Sequence, residues 1–313
     1  MKVQLNRKAF HKRIGFENEI KWSSAIGLIF YHLFGAYWCW FYAFPVKFWT
    51  PIFAFLMMVI NAFGITCGVH RLFTHKSYKV NTPLKILLIL CFTSAGQNSI
   101  YQWVRDHRLH HKFSDTDADP HNSRRGLFFS HIGWLMMKKN EEVRTQGKKI
   151  DMSDIENDGL LMFQDRHFLP LKLLFCYILP TTFGIYFWDE GWKCAVAWQC
   201  FIRYLLVLHF EMTVNSLAHA YGYKPYNKHI TPNENLFVST LTLGEGYHNY
   251  HHVFPYDYKA AEYFDTFNWS GLLIRWWAHM GWAYDLKEAS SDMVDAVVKR
   301  TGDKGIYMSK TKL

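Results

Sequence analysis

The sequence predicts an all-α integral membrane protein. Two transmembrane helical hairpins, four spans in all, would sit under a cytosolic helical cap that holds a polyhistidine di-metal site. Three observations predict it. Long apolar stretches come in two closely linked pairs. Nine of the 17 histidines cluster just beyond the ends of those stretches. Nearly all Lys and Arg lie in the N-terminus, the 105–172 loop and the tail, while the hairpin tips carry only Lys47 and Lys193. Positive charge marks the cytosolic side, so both termini and every histidine cluster are expected there.

Composition narrows the function classes. Half of the 313 residues are hydrophobic and 18% are aromatic, too rich a mix for an ordinary soluble chain. The net charge of +9 suits loops facing anionic lipid. No base-stacking aromatic motif interleaves the basic residues, which argues against nucleic acid. The six cysteines (Cys39, Cys67, Cys91, Cys176, Cys194, Cys200) mostly sit in apolar runs without a Cys-x-x-Cys. They read as buried reduced thiols, and neither a zinc ribbon nor a disulfide framework is supported.

Residues 1–21 form a basic cytosolic segment (Lys2, Arg7, Lys8, His11, Lys12, Arg13). The apolar run behind it is 25 residues long and lacks a small-residue cleavage site, so it is a retained span. Residues 22–69 make the first hairpin. Trp22–Val46 and Phe48–Val69 contain no Lys, Arg, Asp or Glu, and each can cross ~30 Å of hydrocarbon as a helix. Trp38, Trp40, Tyr42 and Trp49 cluster at the tip like an interfacial belt.

Residues 70–167 form cap, with the first two histidine clusters. Within it, Ile86–Val104 is uncharged for 19 residues. A crossing here would put His70 and His75 on the opposite side from His107–His111. Its second half holds Ser94, Gly96, Gln97, Asn98 and Ser99, so it reads as a buried or interfacial helix that does not cross. Asp115, Asp117 and Asp119 alternate before Pro120 and His121, without the glycine and distal glutamate of a calcium loop. Turn and cap chemistry is expected of them. Leu127–Met137 reads as one short apolar helix on the membrane surface, ending at Lys138 and Lys139.

Residues 168–217 form the second hairpin, with spans at Leu173–Trp188 and Cys194–Val214. Arg203 falls mid-membrane with no partner to name, and Glu211 is expected near the cytoplasmic interface. Residues 218–313 complete the cap, with the third histidine cluster, a Trp-rich helix at Leu272–Tyr284 and the tail. The final Thr311-Lys312-Leu313 is too faint a peroxisomal address to count.

The spacing of the histidines carries the chemistry. His107, His110 and His111 stand at i, i+3 and i+4, as do His248, His251 and His252, so each trio would share a helix face. His70 and His75 are five apart, about 140° around an α-helix. Either the helix ends between them or they serve different metals. His219, and Asn215 through water, end the fourth span on the same side. Nine imidazoles exceed one first-row ion and ask for two. The other eight (His11, His32, His121, His131, His167, His209, His229, His279) read as hydrogen-bonded structural residues. Imidazole suits iron, copper, zinc and nickel, but structural zinc takes four ligands, usually with cysteine. Soluble di-iron bundles use paired Glu-x-x-His, and only Glu245 and His248 have that spacing. An all-histidine pair at a membrane face points to two Fe(2+) per chain activating O2 against a lipid C–H bond, chemistry that a cofactor must carry.

From about residue 22 to 302 the chain resembles the membrane acyl-CoA desaturases of the stearoyl-CoA type. His70-Arg71-Leu72-Phe73-Thr74-His75 is similar to the family's first histidine box. Arg105-Asp106-His107-Arg108-Leu109-His110-His111-Lys112-Phe113, followed by Asp117-Ala118-Asp119-Pro120-His121-Asn122, resembles the second. Gly244-Glu245-Gly246-Tyr247-His248-Asn249-Tyr250-His251-His252 resembles the third, and Asn215-Ser216, His219 and Gly222-Tyr223-Lys224-Pro225-Tyr226 complete the set. The resemblance implies a four-span endoplasmic-reticulum enzyme with a cytosolic di-iron cap. It would place a double bond in a fatty acyl-CoA, at Δ9 or a related position, using O2 and electrons from cytochrome b5 and its reductase. It also implies substrate contacts: Arg105, Asp106, Lys138 and Lys139 at the CoA head, Asn98 near the acyl carbonyl, and Gln97 and Trp103 beside the tunnel. Where the family has Arg before the second lysine this chain has Lys138, which lacks the planar fork. Three positions depart from the family pattern: Ser24 stands for an asparagine, Met212 for a tryptophan, and Tyr247 for Trp or Phe. A flexible methionine at a tunnel wall implies altered regioselectivity or an already unsaturated substrate.

Two other readings compete. Hydroxylation or acetylenation on the same scaffold begins with the same hydrogen abstraction. A metal transporter would need ligands within the spans and a path across, whereas these histidines gather at helix ends on one side.

Overall fold

The structure is a computed structural model that describes residues 18–262 and 267–310. The basic residues Lys2 to Arg13 and the terminal Thr311-Lys312-Leu313 lie outside the described residues. Among those described, four helices are long and apolar enough to cross a membrane: α1 (Trp22–Tyr42), α2 (Trp49–Thr74), and, later in the chain, Phe168–Trp188 and Trp192–Ala220. The chain is a multi-pass membrane protein. The first helix turns large apolar side chains outward, with Leu33 at 68% and Trp40 at 85% exposed, which is the surface that lipid covers. At the far end from the histidines the two hairpin tips are tied together. The Lys47 N–H donates to Glu190 Oε2 (3.0 Å), and Trp188 and Trp198 donate to Thr50 Oγ1 (2.8 Å) and the Ala43 carbonyl (3.1 Å).

Length does the next piece of work. The 26 residues of α2 and the 29 of Trp192–Ala220 rise about 39 and 44 Å at ~1.5 Å per residue, more than the ~30 Å hydrocarbon core. Both helices are therefore longer than the hydrocarbon core, and their last turns carry His70 and His219, with His75 directly after α2.

Between the hairpins come α3 (Thr82–Ala95) and α4 (Ile100–Phe113). The uncharged run 86–104 is thus two helices and not the single helix expected. Gly96 closes α3 in the left-handed conformation (φ +69°), and the Ser99 side chain caps α4 by accepting from the Gln102 N–H. At 14 residues α3 spans about 21 Å, too short to cross. It packs on α2 at Gly64, where a Cβ would stand 2.2 Å from the Phe92 nitrogen, so only glycine admits the contact. The stretch 127–137 is also interrupted. A five-residue α5 (Leu127–His131) breaks at Ile132 before a 3₁₀ turn (Gly133–Met136), with Leu127 and Phe128 exposed.

The second hairpin is α6 (Phe168–Trp188) and α7 (Trp192–Ala220). Each contains a π-helical stretch, Leu173–Ile178 and Ala197–Ile202. Arg203 follows the second stretch and is fully buried. Its partners are neutral: the Gln199 carbonyl (3.1 Å), Asn61 Oδ1 (3.2 Å), the Ser94 carbonyl (3.3 Å) and the Cys176 carbonyl. Three backbone carbonyls and the Asn61 amide oxygen satisfy the cation that lacked an obvious partner in the sequence, and these contacts join α2, α3, α6 and α7 through one side chain.

The cap is closed by α8 (Leu236–Thr242), α9 (His248–Val253), α10 (Trp269–His279) and α11 (Ser291–Thr301). The Trp-rich helix ends at His279, before the expected Tyr284. Ala283–Tyr284 instead pairs antiparallel with Lys79–Val80 in a two-stranded ribbon. None of the six cysteines forms a disulfide.

Candidate metal centre

The end of α2 is π-helical over Gly64–Thr74, and the His75 N–H donates to the His70 carbonyl (3.1 Å). A backbone bonded five residues apart puts those residues one above the other. The helix ends at Thr74, between the two histidines, as the first alternative has it, and His75 is its C-cap. The second alternative is not needed, because both rings belong to one group of potential ligands.

That group is His70, His75, His107, His111 and His251; a second is His110, His219, His248 and His252. The nine expected histidines are brought together, but neither the 107–111 trio nor the 248–252 trio falls within one group. On an α-helix i and i+4 differ by about 40°, while i+3 lies about 60° to the other side. His107 and His111 thus face the first group and His110 the second. On α9 the roles reverse: His248 and His252 face the second group and His251 the first.

The inward atoms are Nε2. His70, His251, His111 and His107 follow one another at 2.9, 3.1 and 3.1 Å, and His219, His248, His252 and His110 at 3.0, 3.1 and 3.3 Å. With metal–imidazole bonds of about 2.1 Å, neighbouring ligand atoms stand roughly 3.0–3.4 Å apart. The spacing of these rings fits ions held between them. So does His75 Nε2, which is buried and has no hydrogen-bond partner. The clusters could each hold a metal ion.

Carboxylates fix the rings from behind. Nδ1 of His70, His110 and His219 each lies 2.8 Å from a carboxylate oxygen, of Glu245, Asp119 and Asp115 respectively. Nδ1–H donates there, so the Nε2 lone pair points inward. Burial alone would raise these acids. Arg71 and His70 instead hold Glu245 at about 2, His110 and His121 hold Asp119 at about 2, and His219 holds Asp115 well below the carboxylate range. Burial and neighbouring imidazoles push His75, His107, His111, His248, His251 and His252 well below 6.5, which keeps their lone pairs free. His110 moves up: burial is the largest single influence and pulls it down, but the charge and hydrogen bond of Asp119, with the charge of Asp115, together outweigh it.

A cavity of ≈ 90 Å³ adjoins both groups, with His70, His107, His121 and His248 in its wall. A second, of ≈ 350 Å³ and lined mainly by apolar side chains such as Phe55, Met58 and Trp269, lies between the helices, and Ile65 and Glu211 belong to both walls.

The fatty acid desaturase profile matches residues 47–278. The chain belongs to the fatty acid desaturase family. It is 47% identical over 289 residues to an acyl-CoA Delta-9 desaturase of Acheta domesticus, covering 92% of this chain and 80% of the relative. A stearoyl-CoA desaturase of Homo sapiens is 49% identical, over 84% of this chain and 73% of its own. An acyl-CoA Delta(11) desaturase of Spodoptera littoralis is 46% identical, over 91% and 84%.

In this family member the expected substrate residues divide. Gln97, Asn98, Trp103, Asp106 and Met212 line the smaller cavity, as does Asn215. Arg105, Lys138 and Lys139 lie outside its wall. Arg105 and Lys139 reach Asp106 at 3.5 and 2.5 Å, and Lys138 pairs with Glu19. Ser24, in the first turn of α1, is in neither wall. Glu211, placed at the interface by sequence reasoning, faces both cavities. Sequence reasoning missed four residues. Asp115 and Asp119 do cap the loop, accepting from the Ser123 and His121 N–H groups, and also hold the rings of His219 and His110. Glu245 was set aside as an unmatched Glu-x-x-His. His121 was read as structural, although its place two residues after Asp119 was the available signal.

Proposed function

We propose that this chain is an O2-dependent acyl-CoA desaturase with two Fe(2+) per chain, taking electrons from cytochrome b5 and its reductase, in the endoplasmic-reticulum membrane with both termini cytosolic. One observation carries the reading: two adjoining all-histidine groups border a cavity, and a second, mainly apolar cavity between the helices shares Ile65 and Glu211 with its wall. Two hydrogens leave neighbouring carbons of the acyl chain, and two electrons and two protons complete the reduction of O2 to two waters. Bound iron would supply the O2 reduction and C–H cleavage.

The protein's part is placement. The nine histidines would hold the ions, with Asn215 adding a ligand through water, and Glu245, Asp119 and Asp115 keep three of the rings in one tautomer. Trp103, stacked on His107 at 4.7 Å between ring centres, and Met212 shape the passage where the chain runs. Arg105, Asp106, Lys138 and Lys139 would meet the CoA head, and Asn98 and Gln97 the acyl carbonyl region. The Gln97 amide nitrogen is buried and unpaired, open to an acceptor on the substrate. The Delta-9 and Delta(11) relatives are about equally similar, so the bond position rests on a few wall residues. Double-bond insertion at Δ9 or a related position is expected. Expression in desaturase-deficient yeast, with fatty-acid analysis, tests the reading. New monoenes support it; hydroxy or acetylenic products alone would move it to the sister chemistry, and no new product would overturn it.

A further inference from the structure

Glu211 is the acid that this account leaves unused. It sits on α7 one turn before Asn215 and two before His219, so all three side chains share a helix stripe. It belongs to the wall of the metal-side cavity and to that of the mainly apolar one beyond. Among the described residues no hydrogen bond or ion pair reaches its carboxyl. The threonines of the larger cavity are spoken for. Thr66 is bonded to Ser270, Thr240 to the Leu236 carbonyl and Thr242 to the Val238 carbonyl. An acyl chain passing the metal groups into the larger cavity runs over Glu211. A plain alkyl chain would seal the carboxyl from water and leave it unpaired, which is costly in an apolar enclosure.

On the desaturase reading, we propose that Glu211 is a specificity-determining residue that hydrogen-bonds a hydroxyl group on the methyl-side half of the acyl chain. The substrate class is then a hydroxylated long-chain acyl-CoA. A hydroxyl is the substituent that satisfies the carboxyl in either protonation state, donating to the carboxylate or accepting from the acid. A keto or epoxide oxygen could serve only the acid. A site built around such a bond discriminates strongly against the chain that lacks it.

The test is competition in one vessel. Microsomes carrying the full chain receive stearoyl-CoA and a set of hydroxystearoyl-CoAs with the hydroxyl moved along carbons beyond the site of desaturation. The ratio of desaturated products is read by mass spectrometry, so a variant that folds poorly yields less product but the same ratio. The wild type is expected to favour at least one hydroxy isomer over stearoyl-CoA by roughly tenfold or more. E211L is expected to reverse that preference, and E211Q, which can still hydrogen-bond, to retain part of it. Preference for stearoyl-CoA over every hydroxy isomer in the wild type, or a ratio unchanged in E211L and E211Q, would overturn the proposal while leaving the desaturase reading intact. Desaturation of none of the substrates would overturn the desaturase reading itself.

Discussion

The backbone N–H of His75 donates to the carbonyl of His70 at 3.1 Å, and this one π-turn decides how the first histidine pair meets the metal groups. Ordinary helical spacing would have turned the two rings apart. The turn is held by Thr74, whose buried hydroxyl donates to the Val69 carbonyl at 2.8 Å.

Thr74→Val keeps the shape and removes that hydroxyl. It is expected to lower stability by about 1 kcal/mol and to weaken metal retention with it. Thermal unfolding in detergent and residual metal after dialysis check this. An unchanged melting point would mean that the π-turn does not depend on the side chain.

Asp119 sits 2.8 Å from His110 Nδ1 and holds the ring toward the four-histidine group. Asp119→Asn removes the charge while keeping an oxygen in place. Loss of such an outer partner is expected to weaken metal binding roughly 10–100-fold. Competition with a graded series of chelators measures it. Equal retention in variant and wild type would show that the carboxylate is not needed to set the ring.

Arg203 is buried among neutral acceptors, three of them main-chain carbonyls. Arg203→Met would strand the acceptors and is expected to cost roughly 3 kcal/mol. Arg203→Lys should recover part of that loss. Activity per folded molecule should survive in both, because none of these contacts touches the histidine groups. A melting curve paired with active-fraction normalisation separates the two effects. Loss of turnover in fully folded Arg203→Lys would place the residue in the mechanism.

The histidine boxes made much of this legible. Uncharged runs marked three of the spans, the fourth carrying Arg203 and Glu211, and i, i+3, i+4 spacing picked out six of the nine histidines that the fold gathers. What spacing could not give was the partition, because a 100° helix step sends His110 and His251 across to the opposite group only once α4 and α9 are placed side by side. Nor could it give the π-turn at His75, since α-helical spacing has no signal for a five-residue backbone bond. Arg203 had no visible partner because three of its four oxygen acceptors are main-chain carbonyls, which no side-chain pattern records, and the fourth is the neutral amide of Asn61. Asp115, Asp119 and Glu245 were overlooked because their capping and spacing roles already explained them. The uncharged run 86–104 was read as non-crossing for the right reason, the need to keep His70 near His107, but its break at Gly96 was not foreseen.

Iron content measured alongside turnover tests the central claim most directly. Elemental analysis of the purified full chain should find two irons, with stearoyl-CoA or a related acyl-CoA converted to a desaturated product. His110→Ala should lose iron from the four-histidine group and all turnover. A wild type that binds a single ion, or a His110→Ala variant with unchanged iron and unchanged turnover, would contradict the account.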